Sequence, residues 1–572
     1  MGGDILRRHV GIDVGGTFTD AVLINQEEIE NKTKVPTDQD NLLHTLLSAL
    51  DRLGLDGGNP VDEITVSTTL VTNAILQGRF PPVELYLLPG TGMKLESLSW
   101  PVPYKIMSGT IDYRGREVLP PDELQWRRIL QERKLNPSKS DHVAIVGKFS
   151  HRNQLHEEQL AAYWRQAEPG VNLALGHEWG QANFYRRSLT TYLNLASQDL
   201  WQEFARELER AVCERGCHAP IKVLKTDGGV LPLDRVRPVE TIYSGPTAGV
   251  LGAMAQNPDA SYVVVDIGGT TTDLGIVLSG SPLVSVRGAK IGPYKTLVRS
   301  LAVRSVAVGA DSAIVREAGS LSLARYRLGP AYCLGGPAPT PTDAMCYLGV
   351  VPYGDRVRAE EALASLLPDE HRLPADLTRL AKSLLEEMAG RLAVEIRAME
   401  QEWQDEPAYK IWGVLHPQEA RQFYVWASGG GARGLRDFLQ RKLHTEVRVG
   451  QFPEVSNAVG AALARPTFSC TLHLDTVLGR FSVEEAGEQG KWQGAKRPHA
   501  EVDSFLEKTA ERLAGAKSID LTGAEKEPFD FFPVVQGYRT VGQIVRGRLY
   551  VPPGVWGHLH QRPEGGSRRA ET

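Results

Sequence analysis

The sequence lacks the features that would place the protein in a membrane or an oxidising compartment. Five cysteines among 572 residues are too few for a disulfide scaffold, and their odd number favours a reducing cytoplasm. No apolar run approaches the roughly 20 residues that cross a bilayer. Residues 1–10 lack the apolar core of a secretory signal. We therefore expect a cytoplasmic protein with no membrane partner.

A strong charge imbalance is also absent. The formal net charge is −5, so no basic surface predicts binding to nucleic acid. Hydrophobic residues make up 42% of the chain, which is typical of a globular protein. Cys213 and Cys217 lie four positions apart with no second ligand pair nearby. We interpret them as ordinary helix residues rather than as a metal site.

A glycine hairpin near the N-terminus is the feature around which the chain is organised. Residues 10–23 read VGIDVGGTFTDAVL, in which two β-branched runs joined by Gly-Gly predict a β-hairpin. The residues that suit a phosphate here are Gly15, Gly16, Thr17 and Thr19. Glycine lets backbone N–H groups approach an anion, and threonine hydroxyls add donors. Asp13, at the end of the first strand, is a candidate to hold Mg²⁺ or to orient an attacking group.

The same hairpin occurs a second time. Residues 263–277 read VVVDIGGTTTDLGIV and match the first copy position by position. The matching residues are Asp266, Gly268, Gly269, Thr270, Thr272 and Asp273, opposite Asp13, Gly15, Gly16, Thr17, Thr19 and Asp20. Such self-similarity predicts a duplicated domain. Two hairpins facing each other across a cleft would grip the phosphates of a nucleotide from both sides.

Two further stretches carry candidate site residues. A strand followed by SGGGARG and a helix brings Gly429, Gly430 and Gly431 close to a flat or anionic ligand group. His177, beside Glu178, follows the predicted strand 171–175, and ligands of open α/β sheets bind at strand ends. This pair is the best acid/base or metal candidate in the first half. Because adjacent residues rarely point to one spot, a purely structural role stays open.

Several of these motifs together resemble a known family. The motifs are GIDVGGTFTDAVL, STTLVTNAIL, KTDGG, SGPTAGVLGA, VDIGGTTTD, PTDA and SGGGARG. They are similar to the hydantoinase A/oxoprolinase family of the actin-like ATPase superfamily, over about residues 9–465. A match of several motifs in order is far more specific than one glycine loop.

The resemblance implies an α/β fold in which duplicated actin-like (ribonuclease H-like) ATPase domains surround a nucleotide cleft. We expect the first half at 1–260 and the second at 261–465, each with an insertion. A small α+β section at 466–560 and a disordered tail at 561–572 would follow.

The resemblance also implies the chemistry. ATP, with Mg²⁺ or Mn²⁺, would phosphorylate the amide or enolate oxygen of a small cyclic amide or ketone before ring opening or carboxylation. Asp13 and Asp266 would lie near the metal or the attacking oxygen. The hairpin glycines and threonines would bind phosphates, and residues 429–431 would lie near adenosine and ribose. A hydantoinase B-like subunit is the expected partner, in a homo- or hetero-oligomer.

The chain departs from the family pattern in one loop. The family usually has a glycine-rich stretch resembling GAGGGS where this chain has Gly309-Ala310-Asp311-Ser312. Asp311 would place a side chain and a negative charge where a glycine backbone has room to approach phosphate. The part after Pro466 also looks shortened or replaced.

Three functions remain open from the sequence. The first is the ATP-dependent hydrolase or carboxylase subunit described above. The second is a small-molecule kinase of the same superfamily, which would release a phosphorylated product. The third is a regulatory protein whose nucleotide state controls a partner. The altered loop at 309–312 is the feature that keeps this hypothesis open.

Overall fold

The computed structural model describes residues 8–38, 41–54, 61–135, 140–258, 260–285, 287–317, 320–406 and 423–560. The predicted tail at 561–572 therefore lies outside the described residues.

The first unit is built on a mixed sheet with strand order β12-β11-β4-β1-β2-β3. β1 pairs antiparallel with β2 and parallel with β4, which brings the first hairpin to the centre of the sheet. The elements of this unit that precede its insertion are β1 (Arg8–Val14), β2 (Phe18–Asn25), β3 (Glu28–Pro36), α1 (Leu42–Arg52), β4 (Glu63–Thr68) and α2 (Leu70–Gln77), and β11 (Ile221–Leu224) and β12 (Val230–Pro232) follow it.

A second, parallel sheet is inserted after α2. Its order is β10-β9-β5-β6, and all of its strand pairs are parallel. The elements of the insertion are β5 (Val83–Leu88), β6 (Lys105–Ile106), β7 (Thr110–Ile111), β8 (Glu117–Leu119), α3 (Glu123–Leu135), β9 (His142–Gly147), α4 (Leu155–Ala167) and β10 (Asn172–Leu175). The chain then returns through α5 (Phe184–Ala196), α6 (Gln198–Glu214), β11 (Ile221–Leu224), β12 (Val230–Pro232) and α7 (Ser244–Gln256).

The second unit repeats the central pattern of the first. Its sheet has the order β15-β14-β13-β21-β22, with β18 beside β14, and the hairpin β13–β14 takes the place of β1–β2. The strands are β13 (Tyr262–Ile267), β14 (Thr272–Leu278), β15 (Ser281–Pro282), β16 (Lys290–Ile291), β17 (Tyr294–Lys295), β18 (Arg304–Val306), β19 (Ile314–Glu317), β20 (Ser320–Leu323), β21 (Tyr424–Ser428) and β22 (Val447–Val449). The helices are α8 (Pro341–Tyr347), α9 (Arg356–Ala364), α10 (Pro374–Asp405), α11 (Ala432–Leu443) and α12 (Ser456–Leu463).

The C-terminal part is an antiparallel sheet with one long helix. The sheet order is β25-β24-β23-β27-β26. Its elements are β23 (Phe468–Asp475), β24 (Arg480–Val483), β25 (Glu488–Lys491), α13 (His499–Ala516), β26 (Glu525–Gln536) and β27 (Arg539–Val551). The domain boundaries given above stay predictions, although the elements fall in the expected order.

Two small-residue helices hold the units together. α12, which ends the second unit, packs on β1, and a Cβ placed on Gly11 would lie 2.0 Å from the carbonyl oxygen of Ala458. α7, which ends the first unit, packs on β14, and a Cβ on Gly275 would lie 2.3 Å from Val250. Each helix therefore covers the sheet of the other unit, which holds the two hairpins opposite one another.

α7 and α12 also touch backbone to backbone. A Cβ on Gly252 would lie 1.9 Å from the carbonyl oxygen of Ser456. A Cβ on Gly460 would lie 2.0 Å from the carbonyl oxygen of Ala248. No side chain fits at these distances, so glycine here sets how closely the two units approach.

Replacing Gly252 by alanine is predicted to destabilise the protein by about 1–3 kcal/mol, because the added methyl forces the helices apart. The matched control is Gly390→Ala in α10, where a Cβ meets nothing within 4 Å. There alanine should stabilise the helix by about 0.5–1 kcal/mol. Thermal unfolding of both variants checks this, and a melting temperature of Gly252→Ala at or above that of the wild type would contradict it.

Candidate functional site

The two glycine hairpins have the same local geometry. The Gly15 N–H donates to the Phe18 carbonyl at 3.1 Å, and the Gly268 N–H donates to the Thr271 carbonyl at 3.0 Å. In the strand register Asp13 lies opposite Asp20 in the first hairpin. Asp266 lies opposite Asp273 in the second. The hairpins predicted from the sequence are therefore present in both units.

The hairpins meet across one cleft. The hydroxyl oxygens of Thr17 and Thr270 lie 3.1 Å apart, although the residues are 253 positions apart in the chain. The cavity between the units has a volume of about 450 Å³, within the range of small-molecule sites. The predicted residues that line it are Asp13, Gly15, Gly16, Thr17, Asp266, Gly268, Gly269, Thr270, Gly429, Gly430 and Gly431.

One amide links the carboxylates of the two hairpins. The side-chain amide of Asn457, near the start of α12, donates to Asp13 Oδ2 at 3.1 Å and to Asp266 Oδ2 at 2.9 Å. Both aspartates are buried. Asn457 therefore fixes the spacing of the two carboxylates. The motif analysis did not identify it, because a lone asparagine in a small-residue helix has no distinctive pattern.

Burial raises the pKa of two carboxylates in the cleft, Asp13 and Asp273. It raises the pKa of Asp13 to about 7, against the opposing hydrogen bonds of Ser67 and Asn457. Burial, followed by the negative charge of Asp266, raises the pKa of Asp273 to about 7. A carboxylate with a pKa near neutrality is suited to accept a proton at physiological pH. Concentrated negative charge of this kind is also relieved by a bound cation.

The donor set fits a magnesium ion. Asp13 Oδ1 and Asp273 Oδ1 are buried and lack a hydrogen-bond partner of ordinary geometry among the described residues. Mg²⁺ is usually held by one or two carboxylates together with water and substrate phosphates. No group of three or more His, Cys, Asp or Glu side chains suited to a metal occurs in the described part of the chain. A site of this kind would therefore depend on phosphate oxygens for its remaining ligands.

The third glycine loop closes the cleft from the side of the second unit. The Gly429 N–H donates to the Pro453 carbonyl at 2.8 Å, and the Gly431 N–H donates to the Ile267 carbonyl at 3.1 Å. Gly429 has φ 85°, a left-handed conformation that glycine adopts without strain. The Tyr353 hydroxyl donates to the Gly430 carbonyl at 2.7 Å. The loop is thus fixed against the second hairpin.

The altered loop at 309–312 places a carboxylate in the cleft. The backbone N–H of Asp311 donates to the Gly269 carbonyl at 2.8 Å. The Thr342 hydroxyl donates to Asp311 Oδ1 at 2.8 Å. A Cβ on Gly269 would lie 2.6 Å from Asp311 Oδ2. The acidic side chain therefore lies directly beside the second hairpin.

Two cations from other elements also reach the hairpins. The Arg327 guanidinium donates to the Thr17 hydroxyl at 2.5 Å and to the Gly16 carbonyl at 3.1 Å. Lys34, on β3, donates to Asp20 at 2.7 Å. Arg327 belongs to the second unit and contacts the hairpin of the first. Neither residue belongs to a recognisable motif, so only the fold reveals them.

Two predicted threonines lie outside the cavity lining. The Thr19 hydroxyl is buried 3.0 Å from that of Thr37, and the Thr272 hydroxyl donates to the Val308 carbonyl at 2.7 Å. Strand alternation explains this, because neighbouring residues face opposite sides of a sheet. The next residues, Asp20 and Asp273, line the cleft instead.

His177 is not brought to the cleft. It lies in the insertion, just after β10, and its Nδ1 is 2.7 Å from Glu157 Oε2. The backbone N–H of His177 donates to the same oxygen at 2.8 Å. The histidine is thus paired with Glu157 and not with its neighbour Glu178. It is absent from the described cleft lining, and its catalytic role stays a prediction.

Comparison with known families agrees with this geometry. The family description "Hydantoinase/oxoprolinase N-terminal region" matches residues 9–167, and "Hydantoinase/oxoprolinase" matches residues 187–469. The chain belongs to the hydantoinase/oxoprolinase family. Together the two matches cover most of the chain, including both glycine hairpins and the 429–431 loop.

Two curated relatives of the chain are named as subunits of enzymes. It is 27% identical over 385 residues to the caprolactamase subunit alpha of Pseudomonas jessenii, covering 60% of this chain and 55% of that one. It is 25% identical over 443 residues to the acetophenone carboxylase gamma subunit of Aromatoleum aromaticum, covering 68% of this chain and 57% of that one. The matched regions thus span little more than half the length of these relatives.

Solved structures of two enzymes share the fold. A nucleotide-free structure of an ATP-dependent acetone carboxylase superposes with a TM-score of 0.68 at 17% identity, covering 96% of this chain and 88% of that one. The ATP-dependent caprolactamase from Pseudomonas jessenii gives a TM-score of 0.67 at 19% identity, covering 98% and 90%. The α/β fold, with two units built on a repeated hairpin, is therefore confirmed. Separately, the described helices include none with the length and apolar character to span a bilayer.

The raised pKa of Asp273 predicts a pH-dependent stability. Its folded-state pKa of about 7 lies above the ordinary 3.8. Below pH 3.8 the carboxyl is protonated in both the folded and the unfolded state, and the stability it contributes is fully present. As the pH rises from 3.8 through 7 the folded state holds the proton more tightly than the unfolded state, so this part of the free energy of unfolding is lost. We expect Asp273→Asn to stabilise the ligand-free protein by about 2 kcal/mol more at pH 8 than at pH 5.5.

Thermal or urea unfolding at the two pH values measures this difference. Asp437→Asn, at an exposed position of α11, controls for the loss of one negative charge and should behave alike at both. Equal effects of Asp273→Asn at both pH values would contradict the assigned carboxyl environment.

Proposed function

We propose that the chain is an ATP-dependent enzyme subunit that phosphorylates the carbonyl oxygen of a small cyclic amide or ketone, before ring opening or carboxylation. The observation that carries the proposal is the contact between the two hairpins, with Thr17 and Thr270 3.1 Å apart at the floor of one cavity. Family membership and the ATP-dependent relatives support it.

In the proposed complex the hairpins bind the phosphates. Backbone N–H groups near Gly16 and Gly269 and the hydroxyls of Thr17 and Thr270 supply donors from both units. Phosphoryl transfer is accelerated mainly by positioning and by neutralising charge on the equatorial oxygens. Arg327, already bound to the first hairpin, adds a positive charge at the same place. The 429–431 loop is proposed to contact adenosine and ribose.

The aspartates of the cleft are proposed to bind the cation and to accept a proton from the substrate or from water. Asp13 and Asp266, held by Asn457, would hold Mg²⁺ or Mn²⁺ with the phosphates. The ion, when bound, neutralises phosphate charge. Asp273, with its raised pKa, is placed to take up a proton from the substrate or from water.

The proposed reaction has two steps. In the first, a new P–O bond joins the γ-phosphoryl group to the carbonyl oxygen, while the bond to ADP breaks. In the second, for a cyclic amide, water adds to the activated carbon, the C–N bond breaks with the ring nitrogen leaving as an amine, and a second water cleaves the resulting acyl phosphate to a carboxylate and inorganic phosphate. For a ketone, an α-proton is lost as the enol phosphate forms. Its carbon would then bond to the carbon of CO2 derived from bicarbonate, while water takes the phosphoryl group and inorganic phosphate is released.

Partners and location are part of the proposal. The relatives are named as subunits, so we propose that this chain works with a second, hydantoinase B-like subunit in a homo- or hetero-oligomer. A cytoplasmic location is proposed from the cysteine content and the ATP requirement.

A regulatory role is the second candidate, and one observation favours it. Asp311 lies against the second hairpin, where its negative charge would oppose a phosphate. Burial raises the pKa of Asp311, so a protonated carboxyl would weaken this repulsion. Nucleotide binding without turnover under any substrate would favour this role. A stable phosphorylated product would favour a kinase.

The proposed enzyme should release phosphate only when ATP and a carbonyl substrate are both present. The test is a phosphate-release assay with Mg²⁺ and a panel of caprolactam, 5-oxoproline, hydantoin, acetone and acetophenone. Bicarbonate is added for the ketones, and the assay is run with and without a hydantoinase B-like subunit. If none of these substrates stimulates phosphate release, either with or without the second subunit, the enzymatic proposal is overturned.

Asp13→Asn and Asp266→Asn are predicted to lower substrate-dependent phosphate release at least about 100-fold, because each loses a carboxylate at the transferring group. Circular dichroism should show an intact fold, since asparagine is nearly isosteric. Asp437→Asn, at an exposed site, should retain wild-type turnover. Full activity in both cleft variants would remove the site assignment.

A further inference from the structure

A second cavity opens where the C-terminal sheet meets the second unit. Its volume is about 510 Å³, in the range of pockets that bind small molecules. Its walls come from the end of α7, β15, the start of β26, β27 and the segment 552–558 that follows β27, together with Arg299 and Arg465 from two connecting segments. Among the described residues, it shares no lining residue with the nucleotide cleft. It is therefore a separate candidate site.

The lining of this cavity is strongly basic. Three arginines line it, Arg299, Arg465 and Arg548, against a single lining carboxylate, Glu525. Glu525 accepts a hydrogen bond from the Tyr550 hydroxyl at 2.5 Å. The lining thus carries an excess of two positive charges. Low-dielectric walls around charges of one sign strengthen the attraction for an opposite charge.

The protein fixes two of these arginines through their Nε atoms. Arg465 Nε donates to the Pro552 carbonyl at 3.0 Å, and Arg548 Nε donates to the Ser469 hydroxyl at 3.0 Å. Arg548 Nη1 also donates to Glu527 at 2.8 Å. Neither Nη atom of Arg465 is bonded to a described residue. The protein therefore orients the guanidinium groups of Arg465 and Arg548, while some of their N–H donors remain for a ligand.

Arg299 has no hydrogen bond and no ion pair to a residue that the structure describes. The negative charges of Asp227 and Glu485 act on it. Asp227 is already bound by Lys225 at 3.0 Å, and Glu485 accepts from the Thr471 hydroxyl at 2.8 Å. Burial, with the charge of Arg548 next, lowers the pKa of Arg299. A largely buried guanidinium without a hydrogen-bonded partner is costly unless an anion joins it.

We propose that this cavity binds a small multivalent anion whose carboxylate or phosphate groups are held by Arg299, Arg465 and Arg548. A planar guanidinium offers paired donors that match both groups. The wall is rigid on one side, because the KTDGG turn packs against it. A Cβ on Gly228 would lie 3.0 Å from the Cβ of Pro553. The motif noted in the sequence thus supports this cavity, and its Gly228 does not line the nucleotide cleft.

Isothermal titration of the full chain tests the proposal with inorganic phosphate, pyrophosphate, succinate and citrate as probes. At least one probe should bind, and Arg299→Gln and Arg465→Gln should each weaken its binding about tenfold or more, because a charge-assisted pair is lost. Arg546→Gln is the control for the loss of one arginine charge. Arg546 lies on β27, the strand of Arg548, but is exposed and outside the cavity. The two carboxylates and the two phosphates distinguish which anionic group is recognised.

Three results would overturn the proposal. The first is the absence of binding by all four probes up to about 10 mM, a concentration at which even a millimolar site is mostly filled. The second is binding that survives both arginine variants but is lost in a Thr17→Ala, Thr270→Ala double variant, which would assign it to the cleft. The third is arginine-dependent binding of a hexaglutamate peptide with none of the small anions, which would indicate a protein partner instead.

Discussion

The close crossing of α7 and α12 is the constraint on which the rest of the structure depends. Because Gly252 and Gly460 leave no room for a side chain between the helices, the two units approach backbone to backbone. Each helix covers the sheet of the other unit. The two hairpins are thereby held face to face, and Asn457, near the start of α12, bridges their aspartates. Packing and site geometry thus share one origin.

This arrangement explains why the cleft concentrates charge. Duplication places a pair of facing carboxylates in each hairpin, and the crossing brings the two pairs together. Burial then raises the pKa of Asp13 and Asp273 to about 7. Asn457 donates to one carboxylate of each hairpin. In the proposed complex, a cation bound with the phosphates would relieve the remaining repulsion.

Much of this was predictable from local sequence, and the reasons are specific. Gly-Gly between β-branched runs fixes a hairpin wherever it occurs, so both hairpins and their cleft-facing glycines were predicted correctly. The repeat of the motif implied the duplicated fold, which the comparisons confirm. The strand period explains why Asp20 and Asp273 face the cleft while Thr19 and Thr272 do not. That alternation is readable from the sequence alone.

Other features depend on contacts between distant parts of the chain. Asn457, Lys34 and Arg327 reach the hairpins from elements with no motif of their own, and only the tertiary fold places them. His177 shows the converse. Its position at a strand end suggested an acid/base role, but in the structure it is buried and paired with Glu157 in the insertion. The arginine-lined cavity draws its residues from six separate segments. No local pattern could indicate it.

The central claim is that both hairpins bind the phosphates of one nucleotide. A crystal structure with Mg²⁺ and a non-hydrolysable ATP analogue tests this most directly. The account predicts the β- and γ-phosphates between Thr17 and Thr270, with the metal beside Asp13 and Asp266. A nucleotide bound to one hairpin alone, or outside the cleft, would contradict it.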